Sequence, residues 1–247
     1  MTALPTRRDE VWRYSDIAAV TRVWPVAAAE VLTVPAGEFV TRVLVQDAAA
    51  GDVAIRDFAV TVEAGGSLDF RIVNAGGAYG RVALDVALHE GAVFDMGGII
   101  IGGGEQNLEI VTTVRHLGPG ATSRQVVRCV VGGSAVGTYL GKVAVAREGQ
   151  KTDAAQSFKA LLLERGATAN AKPELEIFAD DVKCAHGATV GELDRNALFY
   201  MESRGVLPGE ARALLTRAFL SDALEGMDEG EREAIEARVT GMLGSVA

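Results

Sequence analysis

The sequence predicts a mainly β protein: a large all-β core followed by a small α-helical unit towards the C-terminal end. Three observations predict it. From about residue 26 to 190, apolar and polar residues alternate with a period of two, the mark of half-buried strands. Glycine is abundant, at 29 of 247 residues, while aromatics make up only 6%, a composition of short strands and tight turns. After Gly191 the period changes to 3.6.

Residues 1–25 form a charged segment that holds both tryptophans, Trp12 and Trp24. "TRRDEVWRYSDIAAV" predicts a short helix beginning near Thr6, with Thr6 as its N-cap. In the 26–190 core, Val82, Leu84, Val86 and Leu88 fall on one face of a strand. Phe58, Val60 and Val62 alternate in the same way, as do Leu68, Phe70 and Ile72. Turns are expected at Gly65-Gly66, Gly76-Gly77, Gly97-Gly98, Gly102 to Gly104, Gly118 with Gly120, and Gly132-Gly133. Their spacing suits a sandwich, a barrel or a β-helix, and no strict repeat motif chooses among them. "DAAQSFKALLLERG" reads equally as a helix ending at Gly166 or as further strands.

The 191–247 unit reads as three helices. The first, about 194–204, starts at Asp194 and stops at Gly205. The second has Pro208 in its first turn and a stripe of Ala211, Leu214, Leu215, Ala218 and Phe219. The third, about 228–243, carries Ile235, Val239, Met242 and Leu243 on one side. So small a unit must lay its apolar faces on the core or on another protein.

The formal net charge of −9 argues against nucleic acid or an anionic membrane as partner, since both need a basic surface. Two cysteines build no disulfide framework and suit a reducing compartment. "MTALPTRRDEVWRYSD" carries charge where a signal peptide needs an apolar run, and no stretch is long and apolar enough to span a membrane. A cytoplasmic protein is expected.

Motifs for chemistry are scarce. "GTYLGKV" departs from a phosphate loop, which requires glycine at Val136 and a hydroxyl at Val143, so no ATP is expected on this chain. "GGGEQN" lacks the third glycine of a dinucleotide fingerprint, and neither G-x-S-x-G nor H-E-x-x-H occurs. What stands out is "PELEIFADDVKCAHGATVG", residues 173–191. On an extended strand Cys184 and His186 project from one face. A thiolate and an imidazole together suit zinc, iron or copper, but two ligands leave a site that others must complete. A cysteine nucleophile with its histidine base is a second reading, without an evident oxyanion hole. The plain alternative makes Cys184 a small buried hydrophobe, His186 a capped polar residue and Asp180-Asp181 a turn. Cys129 reads as buried in a strand, and His89 and His116 as solvent-facing strand ends.

The tract from "KTDAAQSFKALLLERGATANAKPELEIFADDVKCAHGATVGELD" to "NALFYMESRG" resembles the C-terminal half of the SufB/SufD family of iron–sulfur cluster assembly proteins, and its SufD members most. "LPTRRDEVWRYSD" and "GGSAVGTYLGKVAV" resemble family segments too, so the likeness covers most of the chain. The longer N-terminal helical region of SufD members has no counterpart here. The resemblance implies a right-handed β-helix core followed by a helical C-terminal domain. It implies a non-catalytic scaffold subunit that pairs with a SufB-like paralogue and docks a SufC-like ABC-type ATPase through its C-terminal helices. Phe199, Tyr200 and Arg204 are then the expected docking anchors, with residues 192–247 removable without unfolding the core. His186, with Cys184, becomes the expected ligand for iron or a nascent iron–sulfur cluster, in a site shared with the partner. An isolated chain has an open sheet edge, which a homodimer would cover. The competing reading is a stand-alone metal-dependent β-helix enzyme using Asp181, Cys184 and His186.

Overall fold

The computed structural model describes residues 3–244. Its core is a flattened β-helix of two six-stranded parallel sheets. One sheet holds the odd-numbered strands β1 (Glu30–Val34), β3 (Val53–Val62), β5 (Tyr79–Leu88), β7 (Asn107–His116), β9 (Val136–Val145) and β11 (Thr168–Ile177). The other holds β2 (Phe39–Ala48), β4 (Ser67–Gly76), β6 (Val93–Gly102), β8 (Thr122–Val131), β10 (Asp153–Leu162) and β12 (Lys183–Gly191). Each turn contributes one strand to each sheet. The ambiguous "DAAQSFKALL" is therefore a strand, β10. The step between turns is uneven, from Val53 to Tyr79 in one place and from Val136 to Thr168 in another, so no repeat motif is visible in the sequence.

Alternation places Phe58, Val60, Leu68, Phe70, Ile72, Val82, Leu84, Val86 and Phe158 between the sheets in one continuous core. At one corner a column of left-handed residues turns the chain: Gly37, Gly65, Gly91, Gly120 and Lys151, with φ of 72°, 66°, 62°, 69° and 64°. Each N–H bonds a carbonyl of the next corner, as Gly65 N to Glu90 O at 2.8 Å and Gly120 N to Gln150 O at 2.8 Å. Glycine adopts this conformation freely, whereas Lys151 does so under strain.

Gly97 and Gly98 lie inside β6 and form no turn. Gly98 packs inward, where a Cβ would sit 3.0 Å from Ile110 Cδ1. Gly97 points outward, and a Cβ there would meet Ala223 O at 1.7 Å. Bare backbone is required because the helical unit rests directly on it.

The four α-helices are α1 (Ile17–Thr21), α2 (Arg195–Ser203), α3 (Pro208–Ser221) and α4 (Glu229–Leu243), with 3-10 turns at 10–12 and 222–224. Helix α2 is capped by Asp194, whose side chain accepts from Asn196 N, and Gly205 follows its end at φ 87°. Leu220, Ala223, Leu224, Ile235 and Val239 bury against the outer face of the even sheet, over Val73, Ile99, Ile101, Val126 and Val130. The expected stripe on α3 is rotated: Ala211, Thr216 and Leu220 are buried, while Leu214 and Ala218 are exposed. Buried Arg71 pairs with Asp69 and Asp95 and donates to Ala223 O and Glu225 O, holding this unit down. Removing residues 192–247 would thus bare an apolar sheet face, contrary to the expectation that the unit is dispensable to the core.

The N-terminal segment is no continuous helix from Thr6. Asp9 accepts from Thr6 N at 2.7 Å, closing a turn, and α1 begins only after Asp16, which caps Ala19 N. The segment crosses the outer face of the odd sheet, where Ser15, Tyr79 and Arg81 all donate to fully buried Glu109 at 3.0, 2.8 and 2.9 Å. The Arg81 guanidinium also lies 3.9 Å from the Trp12 ring centroid.

His116 corrects the solvent-facing expectation: it is fully buried. Leu108, Ile110 and Val114 fix the inward parity of β7, and His116 shares it. Its Nε2 lies 2.9 Å from Ser123 Oγ and its Nδ1 3.4 Å from Thr152 Oγ1. Burial lowers its pKa to about 4, below the ordinary 6.5, so the folded ring is neutral. Between those values the unfolded chain binds the extra proton, so stability is complete above about pH 6.5 and falls as pH drops towards 4. At about 1.4 kcal/mol per unit the full loss is about 3 kcal/mol. Urea denaturation from pH 7 to 4 should show this slope in the native chain and lose it in His116→Gln.

Candidate functional site

The chemistry-bearing stretch is the last strand of the core. Among the described residues β12 pairs only with β10, and its other edge is open. Its register sets Cys184 beside Ala154 and His186 beside Gln156. Ala154, Gln156, Phe158 and Ala160 all face inward and are buried. Cys184 and His186 therefore share the inner face, at an end of the β-helix that no further turn covers among the described residues. His186 is exposed and Cys184 half-buried against the cluster of Val143, Val145, Ala154 and Ala179.

Burial first, then the nearby Asp153 carboxylate, pushes the Cys184 thiol above its ordinary range. A protonated thiol is no activated nucleophile, and binding a metal would have to displace the proton. The Asp180-Asp181 pair lies in the bend before β12. Asp181 is held at that corner: its carboxylate pairs with Lys151, its N–H donates to Gln150 Oε1 at 3.1 Å, and its carbonyl accepts from Lys151 N at 2.6 Å. The structure so brings Cys184 and His186 together and leaves Asp181 apart. Among the described residues, no three His, Cys, Asp or Glu side chains gather as a metal-holding group.

The second set of expected residues lies on α2, which buries none of its side chains. Phe199 is 73% exposed, Tyr200 60% and nearby Leu207 70%. Arg204 caps the helix and lies 5.2 Å from the centroid of the Tyr200 ring. Phe199, Tyr200 and Leu207 together make an exposed apolar patch on the outer side of the helical unit. Beside it, a groove bordered by Leu163, Leu198, Arg212, Arg217 and Leu243 runs between the corner after β10 and the helices.

Sequence reasoning missed Gln156, the buried register partner of His186. Its parity with Ala154, Phe158 and Ala160 was the available signal. Buried Arg71, Arg81 and Glu109 carried none, because their strand positions face outward and distant segments cover them.

Among the described residues no helix is long and apolar enough to cross a membrane. The protein named chloroplastic ABCI7 of Arabidopsis thaliana is 38% identical over 141 residues, which are 56% of this chain and 30% of that protein. Iron-sulfur cluster assembly protein SufD of Escherichia coli is 36% identical over 129 residues, 52% of this chain and 30% of that protein. A SufBD family protein of Synechocystis is 36% identical over 154 residues, 62% of this chain and 34% of that protein. The chain thus spans about a third of the length of each. The model of the family described as "SUF system FeS cluster assembly, SufBD core domain" matches residues 26–219, from before the first strand into the last turn of α3. With the two-sheet β-helix and the β12 stretch in place, the chain belongs to the SufB/SufD family and is SufD-like.

Proposed function

We propose that the chain is a non-catalytic scaffold subunit of an iron–sulfur cluster assembly complex, cytoplasmic in location. It pairs end to end with a SufB-like paralogue through β12 and docks a SufC-like ABC-type ATPase through α2. One observation carries the reading: β12 leaves a free sheet edge with two metal-capable side chains on the uncovered inner face. Bare strand edges are otherwise blunted or covered, and here the uncovered face carries chemistry. The cargo is iron or a nascent cluster. His186 is its firmer ligand, because Cys184 must first lose a proton. The partner supplies the remaining ligands, so the isolated chain should bind ferrous iron weakly. A second copy of the chain can occupy the same edge when the paralogue is absent.

In the purified three-component complex, His186→Ala should leave assembly intact and lower cluster formation at least about tenfold. Clusters forming at the native rate in an intact mutant complex would make His186 structural. Phe199→Ala with Tyr200→Ala should weaken ATPase association roughly 30-fold or more, the usual cost of losing an aromatic anchor. Unchanged ATPase affinity in this double variant would place docking elsewhere. Point substitutions are the proper test, since truncation at 192 uncovers the sheet face under Leu220 and Val239.

A further inference from the structure

One column of the interior is polar towards the open end. Gln125 on β8, Gln156 on β10 and His186 on β12 are successive register partners. Neighbouring strands lie about 4.8 Å apart, and matched positions on parallel strands face the same side. Gln125 Oε1 accepts from Thr112 Oγ1 at 2.7 Å and from Tyr139 Oη at 3.2 Å. Burial raises the Tyr139 hydroxyl far above its ordinary range, so it remains a donor. Both lone pairs of that carbonyl are then taken, and the Gln125 amide turns its Nε2 away from the two hydroxyls. This Nε2 has no partner among the described residues.

Gln156 is only 3% exposed, and neither its Oε1 nor its Nε2 has a partner among the described residues. A buried amide left so costs about 1–3 kcal/mol. No hydrogen bond joins the two amides in the structure, and with Gln125 Nε2 the free donor the one pairing open to them sets Gln156 Oε1 against it. Such a pairing would leave Gln156 Nε2 for the next position of the column, that of His186 at the open end.

We infer that the open end presents Gln156 Nε2 as a hydrogen-bond donor to an acceptor that arrives beside Cys184 and His186. The inference rests on β12 being the assembly edge. The acceptor has lone pairs and no proton to give. A carboxylate or carbonyl of the partner subunit has this chemistry, and so does a sulfide of the cargo. N–H donation to cluster sulfur is one means by which a protein tunes and retains such a group.

Two variants separate polarity from shape. Gln156→Met removes the amide at similar volume, and Gln156→Glu places an acceptor where a donor stood. The isolated Met variant should melt at or above the native temperature, since an unsatisfied amide has been removed. A melting point lower by more than about 5 °C would show both ends of the amide satisfied within the chain and overturn the inference. Pairing with the paralogue, measured by calorimetry without iron or sulfide, is the first arm. If the acceptor belongs to the partner, the Met variant pairs about tenfold more weakly and the Glu variant more weakly still. The second arm reconstitutes the complex with ferrous iron and inorganic sulfide. If the acceptor is the cargo, pairing is unchanged and retained sulfide falls about tenfold with Met, and further with Glu. A Glu variant that matches or exceeds Met in both arms overturns the inference. Failure of the native chain itself to pair sinks the assembly reading instead, and the isolated-chain melt still decides the amide's role.

Discussion

Arg81→Met loses about 3–5 kcal/mol of stability, because it strands the Glu109 carboxylate in a place closed to bulk solvent. Glu109 is fully buried, and Arg81 is its only cationic partner among the described contacts, at 2.9 Å. Tyr79 and Ser15 still donate to it, but hydroxyls do not neutralise a charge. Replacing both members, as Arg81→Met with Glu109→Met, removes the stranded charge and should recover most of the loss. The two tryptophans, 12 and 24, both lie in the covering segment, so their fluorescence reports its release directly. Equal losses in the single and double variants would show that packing, and not charge, holds the segment.

Gly97→Ala should lift the helical unit from the even sheet. The added methyl would lie 1.7 Å from Ala223 O, and that atom belongs to backbone, which has no rotamer to yield. Displacing the 222–224 turn withdraws two carbonyls from buried Arg71 and parts Leu220, Leu224 and Ile235 from the sheet. Each large apolar side chain so exposed is worth about 1.5–3 kcal/mol. Limited proteolysis within residues 205–228 should therefore accelerate on the order of 100-fold, the factor that about 3 kcal/mol of local opening gives. Gly187→Ala, where nothing lies within 4 Å, is the matched control and should be silent. Native resistance to protease in the Gly97 variant would show that the turn can shift without undocking.

How much of this was legible in the chain follows from which forces act locally. Alternation in "VALDVALH" revealed the strand and its buried face, because period two depends only on neighbours. Asp194, Gly205 and Pro208 marked helix ends by rules as local. The pairing of each strand with the strand two later was not legible, since alternation is the same in a sandwich and a β-helix. Only the family likeness pointed to the right one. Gly97-Gly98 looked like a turn because glycine serves both sharp reversals and close approach, and only the distant Ala223 decides between them. The α3 stripe was misplaced by one position, since the sheet it covers selects the buried side. At the site, the shared face of Cys184 and His186 and the turn at Asp180-Asp181 were readable, whereas the ties of Asp181 to Lys151 and Gln150 depend on the corner beneath.

The anchoring of the first segment on Glu109 has a consequence for how the chain is made. Ser15 leaves the ribosome 94 residues before its partner. At synthesis rates of about 5–20 residues per second, the segment waits roughly 5–20 s with its tryptophans uncovered. Contacts that span so much sequence form late, after the local stacking of successive turns. The segment around Ser15 then settles after strands that emerge later than it does, and a partially synthesised chain exposes the bare outer face of β5. Synonymous changes that slow translation between codons 16 and 109 would lengthen this exposure without altering a single residue of the finished protein.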